Sequence, residues 1–598
     1  MKFFKQFPLF LLTFCLVIAS ASAYRTRMYV PAVLENENRG SLTLIELNVT
    51  GGNGNVYING PSTVDPDTII SARTAAAYAA SFLGLNSSHY NFNYSIEDKN
   101  ASVSGPSGGL AFTLLAVAAL QHRQLAQNFT ATGTISGDGR IGQIGGIYDK
   151  TGAAKSVNMR YVLVPAAQDS SFESFLYYIS QQTYGTPMVE VANVSQAVKY
   201  AFGSVLPQPL SPNLAQNYTI ISLGDSNVTC TDCNTSIFAL LVNYTFNFTD
   251  SYIKNMSNNF SSARQQLLNN LNDYRQIVNK GYLYTGADFS FLDFLSAFTL
   301  SNKNNFDTGS AALVLKNISD YCSSLMPPPM TDKNYEYVIG GEVRRLWGNI
   351  TITNAENMLS TEQTTDDIIE SLYTSASAIG WCKAADEQFS IASSMGGNYV
   401  QVSPSLKSRV AIAINTANNY GNSGLYIQSA TQAYNSGDYA TALYAATYAE
   451  VFMPPITNNA TISQLYNTSI SNIKNVTLGI WPSQFASQSE FYLRESMLSG
   501  GAEKKNSVDQ AYTTSMLAVR LESTNKLISG SFVASNITQS GFSQQAMQEI
   551  SSIESKVAEM YLLLIANALL LFAILVVLIF HLMAHKKTAR RSRTRRRK

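Results

Sequence analysis

Ser107 lies in the run Ser104-Gly105-Pro106-Ser107-Gly108-Gly109, where a polar loop meets an apolar stretch that begins at Leu110. A serine so placed has its Oγ close to a helix N-terminus, where orphan amides and the helix dipole favour a developing oxyanion. Gly105, Pro106 and Gly108 form the loop, and its glycines let the backbone approach a substrate closely. Lys150 follows 43 residues later, in Gly145-Gly146-Ile147-Tyr148-Asp149-Lys150, a second strand-to-helix junction. A lysine in a partly buried site loses its proton more readily, because desolvation penalises the ammonium, and it can then act as a general base. Taken by itself, a Gly-rich turn before a helix is common and more often structural.

Other chemistries are poorly supplied. The four histidines are His89, His122, His581 and His585, and no His-Glu-x-x-His occurs. His89 adjoins an Asn-x-Ser sequon at Asn86, and His122 ends an apolar stretch beside Arg123. No Gly-x-x-x-x-Gly-Lys-Ser/Thr loop for nucleotide phosphates is present. Beyond residue 23 the cysteines are Cys230, Cys233, Cys322 and Cys382. Cys230-x-x-Cys233 has the spacing of a redox pair or half a zinc site, yet no second such pair and no nearby His accompany it. An even number in an oxidising compartment reads as two disulfides. Cys230 with Cys233 and Cys322 with Cys382 is one pairing, and the other two connectivities stay open. No cofactor and no metal are expected.

The elements that must hold Ser107 and Lys150 are legible from periodicity. Ser41–Asn48 and Asn55–Asn59 alternate with period two, as strands do, whereas Ile69, Ala72, Ala76, Ala79 and Leu83 recur at helical spacing. A strand is expected at Asn91–Ile96, an apolar helix at Ser107–Gln121 and a strand at Phe129–Ile135. Gly137-Asp138-Gly139 is a hairpin signal ahead of a strand at Arg140–Ile144. A helix near Asp149–Val157, a strand at Arg160–Val164 and two more helices complete an α/β domain over 24–204. Leu206-Pro-Gln-Pro-Leu-Ser-Pro212 reads as a linker, 205–216. From 217 to 500 the pattern is mainly helical, interrupted at Pro327-Pro328-Pro329. Within it, Ala430 to Ala446 resembles one tetratricopeptide-type hairpin turning at Gly437, without a 34-residue repeat.

Several stretches around the site residues together resemble the proteolytic domain of Lon proteases. They are Gly105-Pro-Ser-Gly-Gly-Leu-Ala111, Thr130-Ala-Thr-Gly-Thr-Ile135, Gly139-Arg-Ile-Gly-Gln-Ile-Gly-Gly146, Lys150-Thr-Gly-Ala-Ala-Lys155 and Tyr161-Val-Leu-Val-Pro165. The resemblance covers about residues 38–200. It implies a Ser-Lys dyad with Ser107 as nucleophile and Lys150 as general base. It also implies that Thr132 hydrogen-bonds and orients the lysine, and that amides near Ser107 form the oxyanion hole. Members of the family usually carry Asp before Gly-Pro-Ser, Ala after the serine and Thr-Gly-Glu; here those positions hold Ser104, Gly108 and Thr132-Gly133-Thr134. They also join this domain to an ATP-driven unfolding ring, and nothing here resembles one. Active domains of this kind generally assemble as rings, so a homo-oligomer is an open expectation.

The two ends place the chain. Lys2 and Lys5, an apolar run from Phe7 and Ala21-Ser-Ala23 make a secretory leader, 1–23. Residues 561–583 are apolar except for Asn567 and His581, long enough for a single-pass helix. Nine basic residues between Lys586 and Lys598 then hold a tail, 584–598, inside. Ala546, Ile550, Ile553, Val557 and Met560 form a short heptad seam in a juxtamembrane segment, 501–560. Between the ends 30 basic residues face 40 acidic ones, a net charge of about −10, which speaks against a nucleic-acid surface. Nineteen Asn-x-Ser/Thr sequons, among them Asn48, Asn128, Asn217, Asn243, Asn317 and Asn536, suggest a glycosylated exterior.

The expectation is an α/β Lon-type domain followed by a mainly helical ectodomain and one C-terminal membrane helix. Its activity would be an outward-facing serine endopeptidase acting without ATP on flexible or unfolded protein substrates. The alternative is a non-catalytic envelope scaffold in which the helical region binds an envelope-layer partner.

Overall fold

The computed structural model describes residues 24–534, apart from 35–38, 61–63, 98–104, 167–170, 209–223, 229, 231–233, 303–306, 362–363, 420–423, 453–459, 475 and 477–478. The chain opens with a strand that periodicity did not pick out, β1 (Tyr24–Leu34), followed by β2 (Arg39–Gly51), β3 (Val56–Asn59) and β4 (Tyr90–Glu97). These form one sheet in the order β1-β2-β4-β3, antiparallel except for the parallel β3/β4 pair. Ile45, Leu47 and Val49 of β2 and Phe92, Tyr94 and Ile96 of β4 point inward at period two.

Two helices cover that face. α1 (Pro66–Phe82) starts at the cap Asp65 and turns Ala72, Ala75, Ala76 and Ala79 inward. These small side chains let it lie close to α2 (Gly109–Leu120), which is buried from Gly109 to Ala119 on every side. Tyr94 packs edge-on to Phe112 at 5.0 Å between ring centroids and donates its hydroxyl to the Phe112 carbonyl.

Beyond α2 lie β5 (Phe129–Ala131), β6 (Thr134–Ile135), β7 (Ile141–Gly142), α3 (Ile147–Ser156), β8 (Tyr161–Pro165), α4 (Ser171–Tyr184), β9 (Met188–Val191) and α5 (Val194–Ala201). β5, β8 and β9 make a parallel sheet with β8 in the centre, wholly buried as a central parallel strand must be. The single strand expected over Phe129–Ile135 is in fact two. Thr132 donates its amide to Leu163, but Gly133 donates to Ser107 and accepts from Leu110, so the chain leaves the sheet to grip the serine loop. β6 and β7 then close the hairpin around Gly139, whose φ of +82° is a glycine conformation. The strand expected over Arg140–Ile144 is thereby confined to two residues.

Among the described residues twelve more α-helices follow, from α6 (Thr235–Asn255) to α17 (Gly501–Ser529). The tetratricopeptide-like hairpin is present as α13 (Leu425–Ser436) and α14 (Tyr439–Phe452), turning at Gly437 with φ +84°. The helices do not sit apart from the α/β domain. One hydrophobic cluster runs from Ile147, Tyr148 and Phe175 through to Phe238, Trp347 and Trp481. The described residues up to Gly397 and from Val402 to Phe532 accordingly form one compact unit, and Asn398–Gln401 with the described residues from Val533 form a second, small one.

Cys322 and Cys382 are disulfide-bonded across 60 residues, tying α9 (Thr308–Ser324) to α11 (Thr365–Ser394). Cys230 is also in a disulfide; Cys233 is outside the described residues. Among the described residues no helix is long and apolar enough to cross a membrane. The expected leader, membrane helix, heptad seam and basic tail all lie outside them.

Candidate active site

Ser107 occupies the middle of a 3-10 turn, Pro106–Gly108, that runs directly into α2. The turn is fixed from two directions. From α1 and its cap, Asp65 accepts the Gly105 amide at 3.0 Å, Thr68 donates to the Gly105 carbonyl at 3.0 Å, and Ser71 donates to the Pro106 carbonyl at 3.1 Å. From the other side the Ser107 carbonyl accepts the Gly133 amide at 2.8 Å and the Thr132 hydroxyl at 3.3 Å. Gly105 takes φ +88°, open to glycine and strained for other residues. A Cβ at Gly109 would come within 2.7 Å of both Ile135 and Ser71, so that position has no room for a side chain.

Lys150 lies in the first turn of α3 and is 5% exposed. Its Nζ donates to the Gly145 carbonyl at 2.8 Å. Burial pushes the ammonium down to about 8, and the carboxylate of Asp366 works in the opposite sense. A neutral amine in that setting keeps a lone pair available while one N–H remains on Gly145. Ser107 Oγ and Lys150 Nζ are not hydrogen-bonded to each other. Thr132 is fully buried and its hydroxyl is directed to Ser107, whereas the resemblance assigned it to the lysine.

The surroundings of Lys150 come from far along the chain. α3 begins at Gly146, a left-handed residue with no side chain to cap the helix. Asp366, in the first turn of α11, takes that place: its two oxygens accept the Ile147 and Tyr148 amides at 2.7 and 2.9 Å. Beside it Thr365 donates to Asp149 at 3.2 Å. Burial raises Asp366 to about 6 and also raises Asp149.

Sequence reasoning missed Asp65, Thr68, Ser71 and Asp366. Asp65-Pro66-Asp67 carries a legible helix-start signal, as does Thr364-x-x-Asp367 for α11. Neither signal reveals a partner 40 or 219 residues away.

Of the glycosylation candidates, Asn128, Asn243 and Asn317 are exposed, Asn48 is half-buried within β2 with its Oδ1 shielded, and Asn217 and Asn536 lie outside the described residues. No cluster of three or more metal-ligating side chains occurs among the described residues.

Residues 34–202 match the family model of the Lon protease (S16) C-terminal proteolytic domain. Similar curated proteins include a Lon protease of Mesomycoplasma hyopneumoniae, 27% identical over 22% of this chain and 16% of the relative. Lon protease 2 of Herpetosiphon aurantiacus is 24% identical over 28% of this chain and 21% of the relative. A Lon protease of Clostridioides difficile is 29% identical over 21% and 17%. The chain thus spans about a fifth of the length of the curated relatives it matches. Its α/β portion is therefore similar to the proteolytic domain of Lon proteases.

Proposed function

We propose that the chain is a serine endopeptidase working through a Ser107–Lys150 dyad, held on the outside of a membrane and acting without ATP on flexible or unfolded protein segments. The observation that carries the reading is Lys150: a nearly buried amine, lowered to about 8, in a Lon-type domain whose serine loop is pinned from both sides. In the reaction the neutral Lys150 Nζ accepts the Ser107 hydroxyl proton as Oγ attacks the scissile carbonyl carbon. The tetrahedral oxyanion collapses, the C–N bond breaks, and the lysine returns the proton to the departing amine. Water, activated by the same amine, then releases the acyl group from Ser107.

Gly109 donates its amide to Pro106 and Leu110 donates to Gly133, so contact with the oxyanion falls to the amides of Ser107 and Gly108. The Cys322–Cys382 disulfide and the exposed sequons support an external location, with residues 561–583 as anchor.

Lys150 Nζ donates to the Gly145 carbonyl and makes no hydrogen bond to Ser107 Oγ, which favours a second reading, a scaffold in which the helical region does the binding. Incubating the full chain with casein in the absence of ATP, beside Ser107→Ala and Lys150→Ala, decides between them. Cleavage by the parent and by neither variant is expected. Silence from all three folded proteins between pH 4 and 9 would transfer the function to the scaffold.

A further inference from the structure

We propose that Asp366, carried by the helical region, is a positioning residue for Lys150: its carboxylate grips the first two amides of the helix bearing the lysine and supplies the counter-charge to the ammonium. The inference rests on the dyad reading above, and it adds that the proteolytic site is completed from outside the Lon-type domain.

Three observations converge on it. The first is the missing local cap. Helices ordinarily satisfy their first amides with a side chain at the residue before the helix, and Gly146 has none. Asp366 supplies both acceptors from a position 219 residues from Ile147.

The second is charge. α3 and α11 meet with their N-termini together, so two positive dipole ends and an ammonium share one small volume. Such an arrangement requires anions between the helices, and Asp366 and Asp149 are placed there.

The third is how firmly Asp366 itself is held. It sits in a helix whose own cap is a full box, with Thr364 and Asp367 exchanging backbone and side-chain bonds. It is 8% exposed, and aromatic contacts of Tyr373 with Phe172 and Phe175 bind the same helix to α4. α11 is therefore a rigid strut whose tip fixes the direction of α3, and with it the direction of the lysine.

The charged and titratable groups around this point are few. Asp366 faces Lys150 and Asp149 from α3, and Tyr177 and Tyr184 from α4. Both tyrosines are raised by burial and stay neutral at working pH. Among these groups Asp366 is the charge that acts on the Lys150 ammonium, opposing the effect of burial.

The test uses the full chain with Asp366→Asn and Asp366→Ser, two neutral caps, and with Asp367→Asn as a control that weakens the same helix start. Two quantities are read against pH: casein cleavage as kcat/KM, and the rate at which acetic anhydride labels Lys150, followed by mass spectrometry. Loss of the counter-charge should move the Lys150 midpoint down by about one pH unit. The kcat/KM plateau should fall roughly tenfold, mostly in kcat. Asp367→Asn should lower the melting temperature and leave the midpoint in place.

A midpoint unmoved in both neutral variants would overturn the proposal, as would failure of both to fold, since either marks Asp366 as a purely structural cap. If the parent does not cleave casein, the endopeptidase reading fails while the labelling midpoints still decide whether Asp366 sets the lysine.

Discussion

At the scale of single residues the site is governed by where polar groups are allowed to point. Lys150 must be neutral to accept a proton, and its ammonium form is disfavoured by burial to about 8. Cleavage should therefore climb as pH rises through about 8 and level off above it; a rate that peaks below pH 6 would be incompatible with a lysine base. Lys150→Arg, which stays charged, should abolish cleavage in folded protein. Gly108 is also constrained. A Cβ there would stand 3.2 Å from the Phe112 ring, so the alanine usual in the family does not fit without movement of that ring. Gly108→Ala should cost about 1 kcal/mol of stability, read by chemical unfolding, and should lower kcat more than it changes KM.

The helices and strands around the site differ in how well they could be read in advance. β2, β4, α1 and α2 are announced by period-two and helical spacing and are found within a few residues of expectation. β1, β9 and the break of the Phe129–Ile135 strand were not legible. The last depends on Gly133 exchanging hydrogen bonds with Ser107 and Leu110, which are remote in sequence. Ser107, Lys150 and Thr132 were accessible through motif and order, whereas Asp366 was not, because nothing local to it distinguishes a carboxylate that caps another helix.

A packing feature in the helical region makes a prediction at this level. α10 (Tyr335–Thr361) passes so near the Cys322–Cys382 disulfide that a Cβ on Gly348 would lie within 2.5 Å of the Cys382 sulfur. Alanine is ordinarily the better helix former, yet Gly348→Ala should destabilise by about 1–3 kcal/mol in chemical unfolding. A gain in stability would show that α10 can shift away from the disulfide at little cost.

The whole molecule has an unusual proton balance. Burial raises Asp288 and Asp366 to about 6, Glu336 and Glu495 to about 7, and Asp293 to about 8. Each of these carboxyls keeps its proton to a higher pH in the folded chain than in the unfolded one. The folded state consequently binds more protons between about pH 4 and 8, and stability falls as pH rises through that window. The melting temperature of the full chain should be roughly 5 °C higher at pH 5 than at pH 8. Scanning fluorimetry across that range checks this, and a maximum at pH 8 would contradict it.

The long reach of Asp366 also imposes a schedule. The lysine helix leaves the ribosome 219 residues ahead of its cap. At about 5–20 residues per second, that gap lasts roughly ten to forty seconds. Throughout it Ser107 and Lys150 both exist but the support for the lysine has not been made. On the dyad reading, the order of synthesis thus leaves the lysine without its distant support until Asp366 has been made.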